Sequence, residues 1–289
     1  MADLQNQTVL VTGATSGIGE VTARELARQG ATVVLLARNA AKAAATQQAI
    51  QAAAGHERVE VVLADLANLA QVRRAAAEVA ARHPRLDQLI NNAGLLFGAT
   101  RQVSAEGNEM TLATNHLGHF LLTALLFDNL RQSPAARIIN VTSTAYKWAK
   151  PDFADFQATR DYSPTRMYGN TKLYNILFTQ ELARRLQAHG IRHVVTNSLH
   201  PGVVATGFGA DAGGLMGLGV KLMRPFLLSP EQGAATTLYL ATSPEGGRAN
   251  GAHFEKQKPT AVKSPYDTPE NAGQLWRINE ELTKIRFMD

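Results

Sequence analysis

Short, unbroken apolar runs alternate with helix-length segments along this 289-residue chain. That alternation limits the fold more than any single motif does. Val9–Val11, Ala31–Ala37, Arg58–Ala64, Leu86–Ile90, Arg137–Val141, Arg192–Ser198 and Gly251–Glu255 read as strands. Between them, Glu20–Arg28, Asn39–Ala54, Asn68–Arg82, Ser104–Leu130, Ser163–His189 and Pro230–Thr242 carry helical spacing. Strands that are apolar on both faces must be covered on both faces. Regular strand–helix alternation then predicts an α/β protein: a doubly wound parallel sheet (Rossmann fold), one domain over residues 1–289, with ligands at the carboxyl ends of the strands. Two stretches break the rhythm, about 145–162 and about 206–228, and long irregular insertions in such a fold are usually functional.

Between the first strand and the first helix stands Thr12-Gly13-Ala14-Thr15-Ser16-Gly17-Ile18-Gly19. A glycine-rich turn into a helix N-terminus gathers backbone N–H groups and the positive end of the helix dipole at one point. A pyrophosphate binds there without a cationic side chain, and the glycines let backbone and ligand approach closely. Gly13, Ser16, Gly17, Ile18 and Gly19 are therefore candidate cofactor contacts. Asn92, Ala93 and Gly94, straight after the fourth strand, leave room for a flat riboside. Asp65, followed by Leu66, ends the third strand, where its carboxylate can accept from an adenine amino group. Turn formation explains either segment equally well.

At the end of the second strand, where NAD-binding folds carry an acidic residue for the ribose 2′-hydroxyl, this chain has Ala37 and then Arg38. A carboxylate would repel a 2′-phosphate and a guanidinium pairs with one, so NADP(H) is expected over NAD(H).

Tyr168 and Lys172 are four residues apart in a helical run, on one face. A phenol of pKa about 10 is a poor proton-transfer group at neutral pH, and a nearby ammonium favours the phenolate. Lowering the pKa by about 3 units takes about 4 kcal/mol of differential interaction. Tyr146 and Lys150 match the same spacing but lie in the irregular insertion, with Pro151 directly behind; a structural role is expected for Tyr146. Ser143, after the fifth strand, could hydrogen-bond a substrate oxygen beside Tyr168. Thr142 is its rival, because alternation allows only one of the two to face the site.

Composition excludes several classes. Twenty-nine basic and 24 acidic residues give +5, but the basic residues are scattered, so nucleic-acid binding is not expected. The absence of cysteine removes disulfides, thiolate metal sites and cysteine nucleophiles. The polar N-terminus reads as neither signal peptide nor anchor, and no apolar run spans a membrane. A cytoplasmic protein is expected. His116, His119 and His200 invite a zinc hypothesis, but no carboxylate completes a ligand motif, so no metal is expected.

Together, the Thr-Gly-x-x-x-Gly-x-Gly turn, Asn91-Asn92-Ala93-Gly94, Ser143, Tyr168-x-x-x-Lys172 and Pro201-Gly202 resemble, in order, the short-chain dehydrogenase/reductase family over nearly the whole chain. The resemblance implies that Tyr168 is the general acid–base and that Lys172 lowers its pKa and holds the nicotinamide ribose. It implies that Ser143 positions the substrate oxygen and that Asn115 completes the catalytic set by holding a relay water. Val203 and Thr206 would contact the carboxamide. A homodimer or homotetramer is implied in the same way. The wide Ser143–Tyr168 spacing, with Asn115-His116-Leu117-Gly118-His119-Phe120, Thr171-Lys172-Leu173, Leu199-His200-Pro201-Gly202-Val203-Val204 and Leu275-Trp276, is similar to retinol dehydrogenase-like members.

Phe208, Leu215, Met216, Leu218, Val220, Leu222, Met223 and Phe226 are interleaved with glycines, which reads as a substrate lid over an apolar aldehyde, ketone or alcohol. A dimer contact or a membrane-touching helix would use the same residues. Three functions follow: an NADP(H)-dependent carbonyl reductase or alcohol dehydrogenase, a non-catalytic NADPH-binding redox sensor, and a sugar-nucleotide epimerase or dehydratase. The first alone uses the whole catalytic set. The glycine spacing and the short C-terminal region argue against the third.

Overall fold

The structure is a computed structural model that describes residues 3–204 and 227–288. Its strands are β1 (Thr8–Thr12), β2 (Thr32–Ala37), β3 (Val59–Leu63), β4 (Gln88–Asn91), β5 (Ala136–Val141), β6 (Val194–His200), β7 (His253–Glu255) and β8 (Lys258–Pro259). They form one sheet in the order β3-β2-β1-β4-β5-β6-β7-β8. All neighbouring pairs are parallel except β7 with β8. The order reverses between β1 and β4, the switch point at whose carboxyl ends such sheets place their ligands.

Strand alternation distributes the core over both faces. Leu10, Val34 and Leu36 belong to one buried cluster, while Val9, Val11, Val33 and Leu35 belong to the other. The first face is covered by α3 (Leu69–Arg82), α5 (Gly118–Leu125) and α7 (Pro164–Ala188), the second by α1 (Gly17–Arg28), α2 (Ala40–Ala54) and α8 (Pro230–Thr242). This is the doubly wound sheet expected from the unbroken apolar runs.

Three features depart from the sequence reading. The helix expected from Ser104 starts only at α4 (Met110–Leu112). Before it, Ser104 N donates to Asn108 O at 2.7 Å around Gly107, whose φ is 81°, so the chain turns instead of coiling. A π-helical turn, Ala113–Leu117, then runs into α5, and the helix breaks at Leu126 before α6 (Phe127–Arg131). The sixth strand lies two residues further on than expected, ending at His200.

The third departure lies past the last expected strand, where the sequence reading assigned no element. It comprises β8 and the helix α10 (Pro269–Thr283), in addition to the short α9 (Pro244–Arg248). Thr268 caps α10 by accepting from Asn271 N, and Pro269 fills its first turn, where a missing N–H costs nothing. Trp276 of this helix packs under α7, with its ring 5.9 Å from Phe178 and the Arg185 guanidinium 4.4 Å above it. Among the described residues, no helix is long and apolar enough to cross a membrane.

Candidate active site

The glycine turn joins β1 to α1. Gly13 and Gly17 have φ of 65° and 57°, left-handed values that suit glycine. A Cβ on Gly19 would collide with the Gly13 carbonyl oxygen and the Asn92 amide. Ser16 precedes the helix in extended conformation and makes no side-chain capping bond, whereas Asn39 and Asn68 cap α2 and α3. The first N–H groups of α1 thus stay directed at the crevice, as an anion site requires.

The turn is held from β4. Asn92 Nδ2 donates to Thr12 O at 2.9 Å, and Thr12 Oγ1 accepts from the N–H groups of Asn92 and Ala93 at 2.9 and 3.0 Å. Thr12 is a site residue that the sequence reading left unassigned, although it opens the motif. Gly94 lies where a Cβ would stand 3.0 Å from Lys172 Nζ, so the backbone leaves an open cradle in front of that ammonium. These residues fit a dinucleotide: α1 N–H groups for the pyrophosphate, and the Gly94–Lys172 side for the nicotinamide riboside.

Arg38 directly follows β2 on the surface and has no carboxylate partner among the described residues. Asp65 follows β3, and its Oδ1 accepts from Ala67 N at 2.9 Å, so the turn reading and the binding reading share one side chain. Leu66 beside it is buried. Val203 is exposed, and its carbonyl accepts from Leu228 N at 2.9 Å. Thr206 and nearly all of the 206–228 segment lie outside the described residues.

Ser143, Tyr168, Lys172 and Asn115 converge from β5, α7 and the π-turn. The Thr142 hydroxyl is engaged by Leu199 O at 2.8 Å, so the rivalry at the end of β5 goes to Ser143, which hydrogen-bonds Tyr168. Lys172 Nζ is buried, donates to Val141 O at 3.3 Å and stands 5.4 Å from the Tyr168 ring centre. Asn115 is buried; its Oδ1 accepts from Leu95 N and its Nδ2 donates to Leu95 O, both at 2.8 Å. The side chain therefore pins the strand-four loop next to Gly94. Tyr146 is buried elsewhere, its hydroxyl accepting from Lys263 N at 3.3 Å.

The titration expected at Tyr168 is reversed. Burial pushes its phenol up to about 12, with the Ser143 hydrogen bond pulling down by less. Burial also lowers the Lys172 ammonium to about 8, so the cation expected to draw the phenol down is itself disfavoured. As it stands, the site presents a protonated phenol at neutral pH. His116 and His119, offered as zinc candidates, bond to Asn175, Asn279 and Thr12. Among the described residues no group of His, Cys, Asp and Glu is placed to hold a metal ion.

The insertion after Ser143 is ordered by α7. Phe156 stacks on Tyr174 with ring centres 5.0 Å apart, and Lys150 N donates to Asn170 Oδ1 at 2.8 Å. The insertion thus packs along the first turns of α7, through Asn170 and Tyr174.

A glycine-turn cradle opposite a Ser–Tyr–Lys–Asn set, at the switch point of a doubly wound sheet, defines a nicotinamide-dependent oxidoreductase on a Rossmann sheet. The chain belongs to the short chain dehydrogenase family, whose profile matches residues 7–215. It is 37% identical to mouse retinol dehydrogenase 12 over 98% of this chain and 88% of that one. Human retinol dehydrogenase 13 is 39% identical over 98% and 86%. A crystal structure from Mycobacterium paratuberculosis superposes with a TM-score of 0.80 at 32% identity, covering 99% of this chain and 97% of that one. The Pseudomonas aeruginosa RhlG/NADP active-site complex gives 0.69 at 27%, covering 87% and 95%.

Proposed function

We propose that this protein transfers a hydride between NADP(H) and an apolar aldehyde or ketone, or the corresponding alcohol. The observation that carries the reading is the Ser143–Tyr168 hydrogen bond with the Lys172 ammonium buried behind it, beside the glycine cradle. A bound NADPH would supply the hydride to the carbonyl carbon. Ser143 Oγ would hold the carbonyl oxygen, and the protonated Tyr168 hydroxyl would donate its proton to that oxygen as negative charge develops. Lys172 would hold the ribose hydroxyls and keep a positive charge near the phenolate that is left. The raised Tyr168 value suits this reductive direction, because the phenol starts out carrying its proton.

Arg38 supports NADP(H): an exposed guanidinium occupies the strand end where a carboxylate would favour NAD(H). The substrate class follows from exposed apolar surface. Leu63, Leu95, Val103, Trp148 and Val203 are the exposed large apolar residues among the described ones, and three of them follow the carboxyl ends of β4, β5 and β6. Leu95 at 37%, Trp148 at 64% and Val203 at 63% exposure would line the mouth of the crevice. The retinol dehydrogenase relatives are named for an apolar alcohol, which fits that mouth.

The test is NADPH consumption with a panel of apolar aldehydes and ketones, retinal included, with Tyr168→Phe as control. Turnover that the variant lacks is expected. Tight NADPH binding with no turnover on any panel member would favour the redox-sensor reading, and faster turnover with NADH would overturn the Arg38 argument.

A further inference from the structure

Ser143 opens a short 3₁₀ turn, Thr144–Trp148, that is held from two sides. On one side lies α7. A Cβ on Gly169, the residue after Tyr168, would come within 2.8 Å of Ala145 O and 3.4 Å of Ala149 N, so the turn rests directly on the helix there. On the other side lies β6. A helical turn begins with N–H groups that have no partner further along it. Those of Ala145 and Tyr146 return to Ser143, to Oγ at 3.2 Å and to the carbonyl oxygen at 3.1 Å. That of Thr144 leaves the turn and donates to His200 Nδ1 at 3.3 Å.

This bond continues the sheet past its last backbone pair. The β5–β6 ladder ends with Val141 opposite Leu199, and Thr142 N donates to Leu199 O at 2.7 Å. One residue further on, the His200 side chain reaches across to the residue that follows Ser143. A neutral ring with its proton on Nε2 offers Nδ1 as an acceptor. Burial holds His200 below its ordinary value against the pull of the Glu255 carboxylate, its register partner on β7. The Lys147 ammonium on the turn and the Lys172 ammonium on α7 push in the same direction as burial, and His253 on β7 is itself neutral through burial. At neutral pH the Nδ1 lone pair is therefore free for Thr144.

We propose that His200 is a positioning residue for Ser143: by accepting the Thr144 N–H it fixes the turn between β6 and α7, and so sets where the Ser143 hydroxyl meets Tyr168. Its kinetic test rests on the oxidoreductase reading above, and its structural test does not.

Two substitutions separate this bond from the bulk of the ring. His200→Asn places an amide oxygen near the Nδ1 position and keeps an acceptor for Thr144. His200→Gln places its amide near the Nε2 position and leaves the Thr144 N–H without one. The Gln variant is expected to lose about tenfold in kcat, the size of one lost hydrogen bond, with NADPH affinity within about twofold. The Asn variant should stay within about threefold of wild type in kcat. Amide exchange at Thr144, followed by NMR, should be slow in wild type and in the Asn variant, and at least about tenfold faster in the Gln variant. Equal kcat in the two variants would overturn the proposal, whether both are impaired or neither is. Thr144 exchanging in wild-type protein at the rate of an unbonded amide would overturn it too, and that result needs no variant to fold. If wild-type protein turns over no substrate, the oxidoreductase reading fails and the exchange at Thr144 decides this proposal by itself.

Discussion

Thr12→Val is the sharpest probe of how this site is built, because it preserves shape and removes one buried hydroxyl. That hydroxyl accepts from Asn92 N and Ala93 N and meets His119 Nε2, all within 3.0 Å. Each partner left unpaired costs about 1–3 kcal/mol, and Asn92 and Ala93 are only partly buried, so the low end applies to each. The sum is about 3 kcal/mol. For a chain of this length the unfolding entropy is about 0.6 kcal/mol per degree, which converts that loss to a fall of about 5 °C in Tm. Calorimetry reads the stability, and fluorescence titration with NADPH reads the cradle that Thr12 and Asn92 hold shut. The expected result is the Tm drop together with at least about tenfold weaker NADPH binding, one lost hydrogen bond's worth. A Tm within about 1 °C of wild type, with unchanged affinity, would refute the claim that this hydroxyl ties the glycine turn to β4.

Other consequences are as direct. Tyr168→Phe should leave NADPH affinity within about twofold and lower kcat by at least about 10³-fold, in the range of losing a general acid, in a stopped-flow assay. Arg38→Glu should invert cofactor preference by replacing an attraction for a 2′-phosphate with a repulsion, read as kcat/KM with NADPH against NADH; an unchanged ratio would remove Arg38 from the cofactor site. Acid should weaken the fold before carboxylates titrate. His116 and His119 have folded-state pKa values of about 4 and about 3, against 6.5 unfolded, so the unfolded chain binds more protons as pH falls below 6.5. Stability present above pH 6.5 is then lost as the pH falls, by about 6 kcal/mol at pH 4. Urea midpoints at pH 6.5, 5.5 and 4.5 measure this loss, and His119→Asn should flatten the slope.

The sequence by itself determined the sheet, the glycine turn and which side chains were expected to meet at the candidate site. The unbroken apolar run at Val33–Leu36 can be satisfied only by burial on both faces, and this needs no knowledge of distant contacts. The glycine turn is likewise local, since its φ values and its helix lie within a few residues of one another.

What tertiary structure decided lies in contacts between segments far apart in the chain. The choice of Ser143 over Thr142 depends on Leu199 claiming the Thr142 hydroxyl across the β5–β6 pair. The π-turn at Asn115 interrupts a helix whose composition reads as regular, and it depends on Leu95, Asn175 and His119 for its partners. The protonation of Tyr168 and Lys172 also escaped the sequence. An i,i+4 spacing fixes how near the two groups lie, but the desolvation that outweighs their attraction comes from the sheet, the insertion and the loops packed around them. Local spacing set the chemistry available, and burial by remote segments set the charge state in which it is held.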